Sequence, residues 1–421
     1  MKELVLQYIW QYKLFSPEAM KTTNGENVTV IDTGKPNTDA GPDFFNAKIK
    51  IGETLWAGNV EIHTKSSDWE KHKHFENKSY DNTILHVVKI ADKEIFNSKG
   101  EKIPQLELIY PSYIDQNYEN LLNGKQWIPC ASKINLVPAI IISSWKTTLV
   151  TERLQQKTSD IQQHLAANNN NFEEVFYVTL AKSFGFGTNS QTFGMLAQSL
   201  PLNILAKHKN NLFQIEALLF GQAGLLSGCD NDEYCQKLAK EYSFLQSKYQ
   251  LKAIDGSQWK LLRMRPVNFP HVRIAQFASL IYKSSKLFSK IVDQPDLKNI
   301  QVLFQTETSE YWETHYKFGD GTLNKSKKIG KSSVYSLIIN TVIPFLFAYA
   351  SSRNNQGLMD RAFSLLSEIP SEKNSIIEGW KNIGITAENA VDTQALIQLK
   401  KNYCDDKKCL RCSIGLKVLI I

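Results

Sequence analysis

The stretch that most restricts how this chain can fold is "FFNAKIKIGETLWAGNVEIH", from Phe44 to His63. Two alternating runs, rich in β-branched and aromatic residues, flank Gly52, and such runs pair as an antiparallel hairpin. Alternation puts Glu61 and His63 on one face of the second run, with Asn59, Ala57 and Leu55. If the hairpin turns symmetrically about Gly52, Asp43 lies across from Glu61, Phe45 from Asn59, Ala47 from Ala57 and Ile49 from Leu55. A two-residue Gly52-Glu53 turn would move Asp43 to the other face, so convergence of the two acids requires a three-residue loop or a bulge.

Two carboxylates brought together repel unless a cation lies between them. Asp43 and Glu61 are therefore candidate ligands for Mg²⁺ or Mn²⁺, with His63 as a third ligand or as the base that positions water. Acids at a hairpin end also serve as caps of neighbouring turns. His63, His72, His74 and His86 all fall within one short segment, which opens a His/carboxylate centre. His86, in the apolar run "ILHVV", also reads as a hydrogen-bonded core histidine, and "HKH" at 72–74 as an exposed helix end.

Around the hairpin the first 110 residues read α-β-β-β-α-β. Leu4, Leu6, Ile9, Trp10 and Leu14 recur at helical spacing, "NVTVIDTG" is a strand, "SSDWEKHKH" begins as a capped helix, and "NTILHVVKI" and "QLELI" are strands. The strands read as a mostly local antiparallel meander. Pro111, Pro129 and Pro138 mark a connector over 111–138, and helical periodicity then runs over 139–400. The expectation is an α+β chain: an α/β domain at 1–110, a larger all-α domain, and a cysteine-bearing tail at 401–421.

Pro42-Asp43 followed by Glu61-x-His63, within that element order, resembles the PD-(D/E)xK nuclease superfamily. The resemblance covers the first 110 residues. It implies a restriction-endonuclease-like fold and divalent-metal-dependent hydrolysis of phosphodiester bonds, with Asp43 and Glu61 holding the metal. It also implies an acid from the first helix, for which Glu3 is the candidate. His63 stands where that superfamily usually has lysine, and Lys65, of the same parity, is the candidate substitute. A degenerate fold that binds nucleic acid or protein without catalysis is the alternative. The chain as a whole resembles a bacterial family catalogued as a domain of unknown function, through "AGPDF", "WAGNVEIH", "SSDWEKHKH", "ILHVV", "RMRPVNFPHVRIAQ" and "CLRCSIG".

Cys404, Cys409 and Cys412 form a C-x4-C-x2-C run, and Cys130 is a candidate fourth ligand. Four thiolates at such spacing suit zinc or an iron–sulfur cluster, although unligated thiols have the same spacing. Some PD-(D/E)xK nucleases join one upstream cysteine to three downstream ones through an iron–sulfur cluster, and this layout is similar. Cys229 and Cys235, in "GCDNDEYC", read as unligated.

Charge is uneven. Residues 250–335 hold 14 Lys/Arg against 7 Asp/Glu, whereas residues 1–110 hold 14 against 16. Within the basic region Arg263, Arg265 and Arg273 interleave with Trp259, Phe269 and His271, which suits nucleic-acid phosphates and bases, while Pro266 and Pro270 make the segment equally a rigid join packed between helices. A P-loop, a dinucleotide fingerprint and a Gly-x-Ser-x-Gly elbow are absent from the sequence. The N-terminal run lacks the apolar core of a signal peptide, and "SLIINTVIPFLFAYA" reads as a buried helix, so the expectation is a cytoplasmic chain with no membrane partner.

Overall fold

The computed structural model describes residues 3–284, 286–294 and 296–421. The chain forms two compact units, 1–145 together with 399–421, and 146–398. The first is a mixed sheet with flanking helices and the second is all helical, an α+β arrangement.

The sheet comprises β1 (Val28–Asp32), β2 (Lys35–Pro36), β3 (Phe44–Ile51), β4 (Thr54–Lys65), β5 (Thr83–Ile90) and β6 (Gln105–Glu107). Its order is β1-β3-β4-β5-β6, with β2 also on β3. The antiparallel meander holds for β1, β3 and β4, but β5 and β6 run parallel to their neighbours. Parallel neighbours need a crossover rather than a tight turn. Here the crossover is α2 (Asp68–Lys71) followed by two 3-10 turns, His74–Glu76 and Lys78–Tyr80. "HKH" thus belongs to a connection that returns across the sheet.

Hairpin register departs from a symmetric turn about Gly52. Ile51 pairs with Thr54, and Ala47, Lys48, Ile49 and Lys50 pair with Gly58, Ala57, Trp56 and Leu55. The loop is therefore the two-residue Gly52-Glu53 turn, with Gly52 at a positive φ of 58°, as the first turn position of a type II′ hairpin requires. That register alone would separate the acids. A bulge between Phe44 and Ala47 shifts it by one residue, so Phe44 pairs with Val60. Asn46 takes up the extra residue in the left-handed region, at φ 57°, which asparagine tolerates better than most side chains.

Helix α1 (Glu3–Gln11) packs on β4 through buried Val5, Leu6, Ile9 and Trp10. The Trp10 indole N–H donates to the Thr33 carbonyl at 3.1 Å, fixing the helix against the loop after β1. Glu3 and Gln7, four residues apart, share one face.

The segment expected as a connector folds into this unit as α3 (Tyr113–Asn123) and a 3-10 turn at Ile134–Leu136. The C-terminal helix Ser413–Leu419 packs on α3. Asn117 Nδ2 donates to the carbonyls of Leu419 and Ile421, at 3.0 and 3.1 Å, and Lys133 Nζ donates to Ile421 O at 2.8 Å.

The helical unit begins within α4 (Ala139–Ala167). Its helices start where the sequence supplies caps: Asn171, Asn211, Asp232, Asp296, Asn355 and Asn374 each accept a first-turn N–H. Phe176, Phe184, Phe277, Trp312 and Phe345 are buried in its core. The apolar run around Pro344 lies in a longer helical stretch, Lys331–Ser352, long and apolar enough to cross a membrane, with 67% of its apolar window buried. Cys229 and Cys235, expected to be unligated, are joined as a disulfide. Asp232 Oδ1 caps the Cys235 N–H at 2.8 Å, folding the acidic loop back so that the two cysteines meet.

Candidate metal centre

The bulge restores what the two-residue turn would have removed: Asp43 lies across from Glu61. The side chains then lock onto each other's backbone. Glu61 Oε2 accepts the Asp43 N–H at 3.0 Å, and Asp43 Oδ2 accepts the Ile62 N–H at 3.0 Å. Gln7 Nε2 donates to Asp43 Oδ1 at 2.8 Å, tying α1 to the strand end. Asn37 organises the preceding loop: its side chain donates to the carbonyls of Asp39 and Pro42, each at 3.1 Å, and accepts the Asp39 N–H.

Four imidazoles converge on these acids. His63 sits one alternation beyond Glu61 on β4, and its Nε2 lies 3.5 Å from Glu61 Oε1 and 3.8 Å from Glu3 Oε1. His86, on β5 beside Glu61, meets His63 Nδ1 with its Nε2 at 2.8 Å. The crossover supplies the other two. His72 Nδ1 is 3.0 Å from His63 Nε2, and His74 Nε2 is 3.2 Å from Glu61 Oε1. Lys73 between them is left-handed, at φ 57°. Trp69 and Tyr80 wall the cluster, with the Tyr80 ring stacked 3.9 Å from that of His74.

Ligand atoms of His63, His72 and His74 all lie within 4.8 Å of one another, a spacing a single ion can bridge. In the cluster, the buried His86 Nδ1 has no hydrogen-bond partner, and the buried His74 Nε2 has only the Glu61 carboxyl at 3.2 Å, which does not meet it in hydrogen-bond geometry. Burial dominates the protonation pattern. It pushes Glu61 up to about 8. Burial, and then the neighbouring acids, push Asp43 and Glu3 up to about 7. Burial and the neighbouring rings hold His63 down at about 2 and His86 at about 3. The His63, His74 and His86 rings are therefore neutral, the form that binds metal, while the carboxylates resist ionising without a counter-charge. The donor set fits a divalent cation.

Residues 3–375 match a family described as a protein of unknown function, DUF2851. The chain belongs to that family. No curated protein and no solved structure matches it. Every residue of the cluster lies within the matched part of this DUF2851 member.

Of the residues singled out from sequence, Glu3, Asp43, Glu61 and His63 come together. Lys65 does not join them: it is exposed at the end of β4, and its backbone N–H donates to Asp68 Oδ2 at 3.1 Å. Gln7 and Asn37 were invisible as site residues, because only the folded loop shows that they orient Asp43. His72 and His74 carried a signal in "HKH", but the direction of the chain after β4 decides whether they face the acids.

The cysteines gather in the same unit. Cys130, Cys404, Cys409 and Cys412 are all free thiols, and three are buried. Gly415 allows the tail to close, since a Cβ there would stand 2.3 Å from the Cys409 carbonyl oxygen. Burial, and then neighbouring thiols with Cys412 foremost, push Cys130 and Cys409 up to about 12. A tetrahedral zinc site would hold its sulfurs roughly 3.8 Å apart, and the sulfurs do not form a cluster as close as that of the three histidines. Arg263, Arg265 and Arg273 line one cleft of the helical unit.

Proposed function

We propose that this chain is a divalent-metal-dependent hydrolase of phosphodiester bonds. The observation that carries the reading is the β3 bulge, which sets Asp43 across from Glu61 beside three mutually close imidazoles. Support also comes from the element order and from Glu3, which reaches the cluster from the first helix as an acid often does in the superfamily that the sequence resembles. Asp43 and Glu61 are the oxygen ligands, with His63 and His74 completing the set. Imidazole ligands favour Mn²⁺ or another transition metal over Mg²⁺. When bound, the cation supplies positive charge against the scissile phosphate and eases deprotonation of water.

The protein's own groups divide the remaining work. His63, held neutral by burial, is suited to binding metal and not to taking up a proton at neutral pH. Glu3, raised to about 7 and partly exposed, has the proton affinity of a general base. Gln7 and Asn37 hold Asp43 in place, and His86 orients the His63 ring.

Labelled single- and double-stranded DNA and RNA, incubated with the purified chain and Mn²⁺, should be cut, and EDTA, Asp43→Asn or Glu61→Gln should stop the cutting. Cutting that survives both substitutions contradicts the reading. Salt-sensitive binding without hydrolysis, unchanged in Asp43→Asn, would favour the non-catalytic alternative.

We propose a second site, for zinc or an iron–sulfur cluster, on the four free thiols, which would have to draw closer together to share it and would then fix the tail. Metal analysis and visible absorption of anaerobically purified protein separate zinc from iron, and Cys409→Ala should lose the bound metal.

A further inference from the structure

In the helical unit a cleft of about 320 Å³ opens beneath the loop that carries Arg263 and Arg265, at the start of the helix Pro270–Lys283. Its lining contains three arginines and no carboxylate. Arg273, in the first turn of that helix, is only 6% exposed. Its neighbours are all neutral: Nη1 donates to Gln276 Oε1 at 2.9 Å, Nη2 to Asn268 Oδ1 at 2.6 Å and to Ser333 Oγ at 3.5 Å, and the guanidinium lies 4.1 Å over the Phe186 ring. Its Nε is buried with no partner. A buried cation whose contacts are all neutral is costly, because nothing near it returns the lost hydration.

Three further features bear on the same cleft. The helix has no side-chain cap at Phe269 and begins with Pro270, which has no N–H, so the positive end of its dipole, with the His271 and Val272 N–H groups, is left without a side-chain acceptor. Arg263 is held in the left-handed region at φ 62°, a conformation that costs a non-glycine residue energy. Asn189, itself buried, clasps Lys260 through two hydrogen bonds of 2.9 Å and fixes the root of the loop. The cleft thus joins a fixed floor, a buried guanidinium with no carboxylate beside it and an unpartnered Nε, and two exposed arginines at the rim, the features of an oxyanion receptor.

We propose that this cleft is a phosphate-binding site, in which Arg273 and the helix terminus hold the phosphate oxygens and Arg263 and Arg265 close over them. The site does not depend on the metal centre, since it lies wholly within the helical unit and binding there needs no catalysis. The phosphate belongs either to a single-stranded nucleic-acid backbone or to a small phosphorylated molecule.

The test uses the full chain in EDTA, so that hydrolysis plays no part. Inorganic phosphate is titrated by calorimetry, and a fluorescein-labelled oligothymidylate by anisotropy, with and without competing phosphate. Arg265→Ala is the main variant because that side chain is exposed and cannot unfold the unit, and Arg273→Met is the second. Each lost charge-assisted hydrogen bond should weaken binding about tenfold or more. Arginine-dependent binding of either probe supports the proposal. Mutual competition assigns the phosphate to a nucleic-acid backbone, and phosphate binding without oligonucleotide binding assigns it to a small molecule. Binding of neither probe, or affinities unchanged in the Arg263→Ala/Arg265→Ala double variant, overturns it.

Discussion

Glu61 in the sheet unit and Glu216 in the helical unit are both buried acids whose proton affinity burial raises, to about 8 and about 7. Their surroundings differ. Glu216 accepts hydrogen bonds from the Tyr234 hydroxyl and from Ser309 Oγ, the latter at 2.9 Å to Oε1 and 3.2 Å to Oε2. Both of its oxygens are met by neutral donors, which makes it a structural link between helices. Glu61 receives one backbone N–H on Oε2, while Oε1 faces the rings of His74 and His63 at 3.2 and 3.5 Å. Those rings are held neutral and the Glu61 carboxyl holds its proton at neutral pH, so no attraction between opposite charges joins them. Burial alone therefore does not mark a functional acid. On the proposed reading, the mark is a cluster of neutral donor groups to which a bound cation would supply the missing charge.

The largest effect expected from this contrast is on hydrolysis. Glu61→Gln or Asp43→Asn should reduce the rate by about 10²–10³-fold or more, the scale of losing a principal charge-stabilising group, and Glu216→Gln should leave it unchanged. A matching loss in Glu216→Gln would erase the distinction. Next comes His86→Phe, which removes the ring that orients His63. Calorimetric titration should show Mn²⁺ binding weakened about 10–100-fold, as for other groups that position a metal ligand.

Glu216→Ala should instead register in urea unfolding, at a cost of about 1–3 kcal/mol, because the Tyr234 and Ser309 hydroxyls lose their acceptor. The smallest effect is on pH dependence. Glu61 has a raised folded value of about 8 against an ordinary value of 4.5. Below the ordinary value both states are protonated and stability is unaffected. As pH rises toward 8, the unfolded chain ionises first, so the metal-free protein should lose thermal stability across that window. Mn²⁺ should offset the loss, and its apparent affinity should climb through the same range, because binding expels the proton. A flat melting profile would mean that Glu61 ionises freely in the fold.

Much of the fold was legible from local chemistry. The alternation of β3 and β4 and the periodicity of α1 appear as their sequences imply, and asparagine and aspartate caps open the helices. Register was not legible to the residue. Gly52 marked a turn without setting its length, and the bulge at Asn46 could be required by the pairing of the acids but not placed. The direction of β5 was hidden because the helix expected at "SSDWEKHKH" is short and followed by single turns, which does not by itself separate a crossover from an antiparallel return. That ambiguity also left open which histidines would join the acids, since His72 and His74 reach them only if the chain crosses over. Asp43 and Glu61 were readable as a pair, whereas Gln7 and Asn37 act through contacts that no spacing encodes. The prolines over 111–138 suggested a linker, but buried Ile114, Tyr118 and Leu121 fold its middle into the first unit.

Anomalous scattering from a crystal of the protein soaked in Mn²⁺ tests the central claim most directly. A peak within ligand distance of Glu61, His63 and His74, absent in crystals of Glu61→Gln, is the predicted result. Full-occupancy soaks that leave the Asp43–Glu61 end of the sheet without a peak would contradict it.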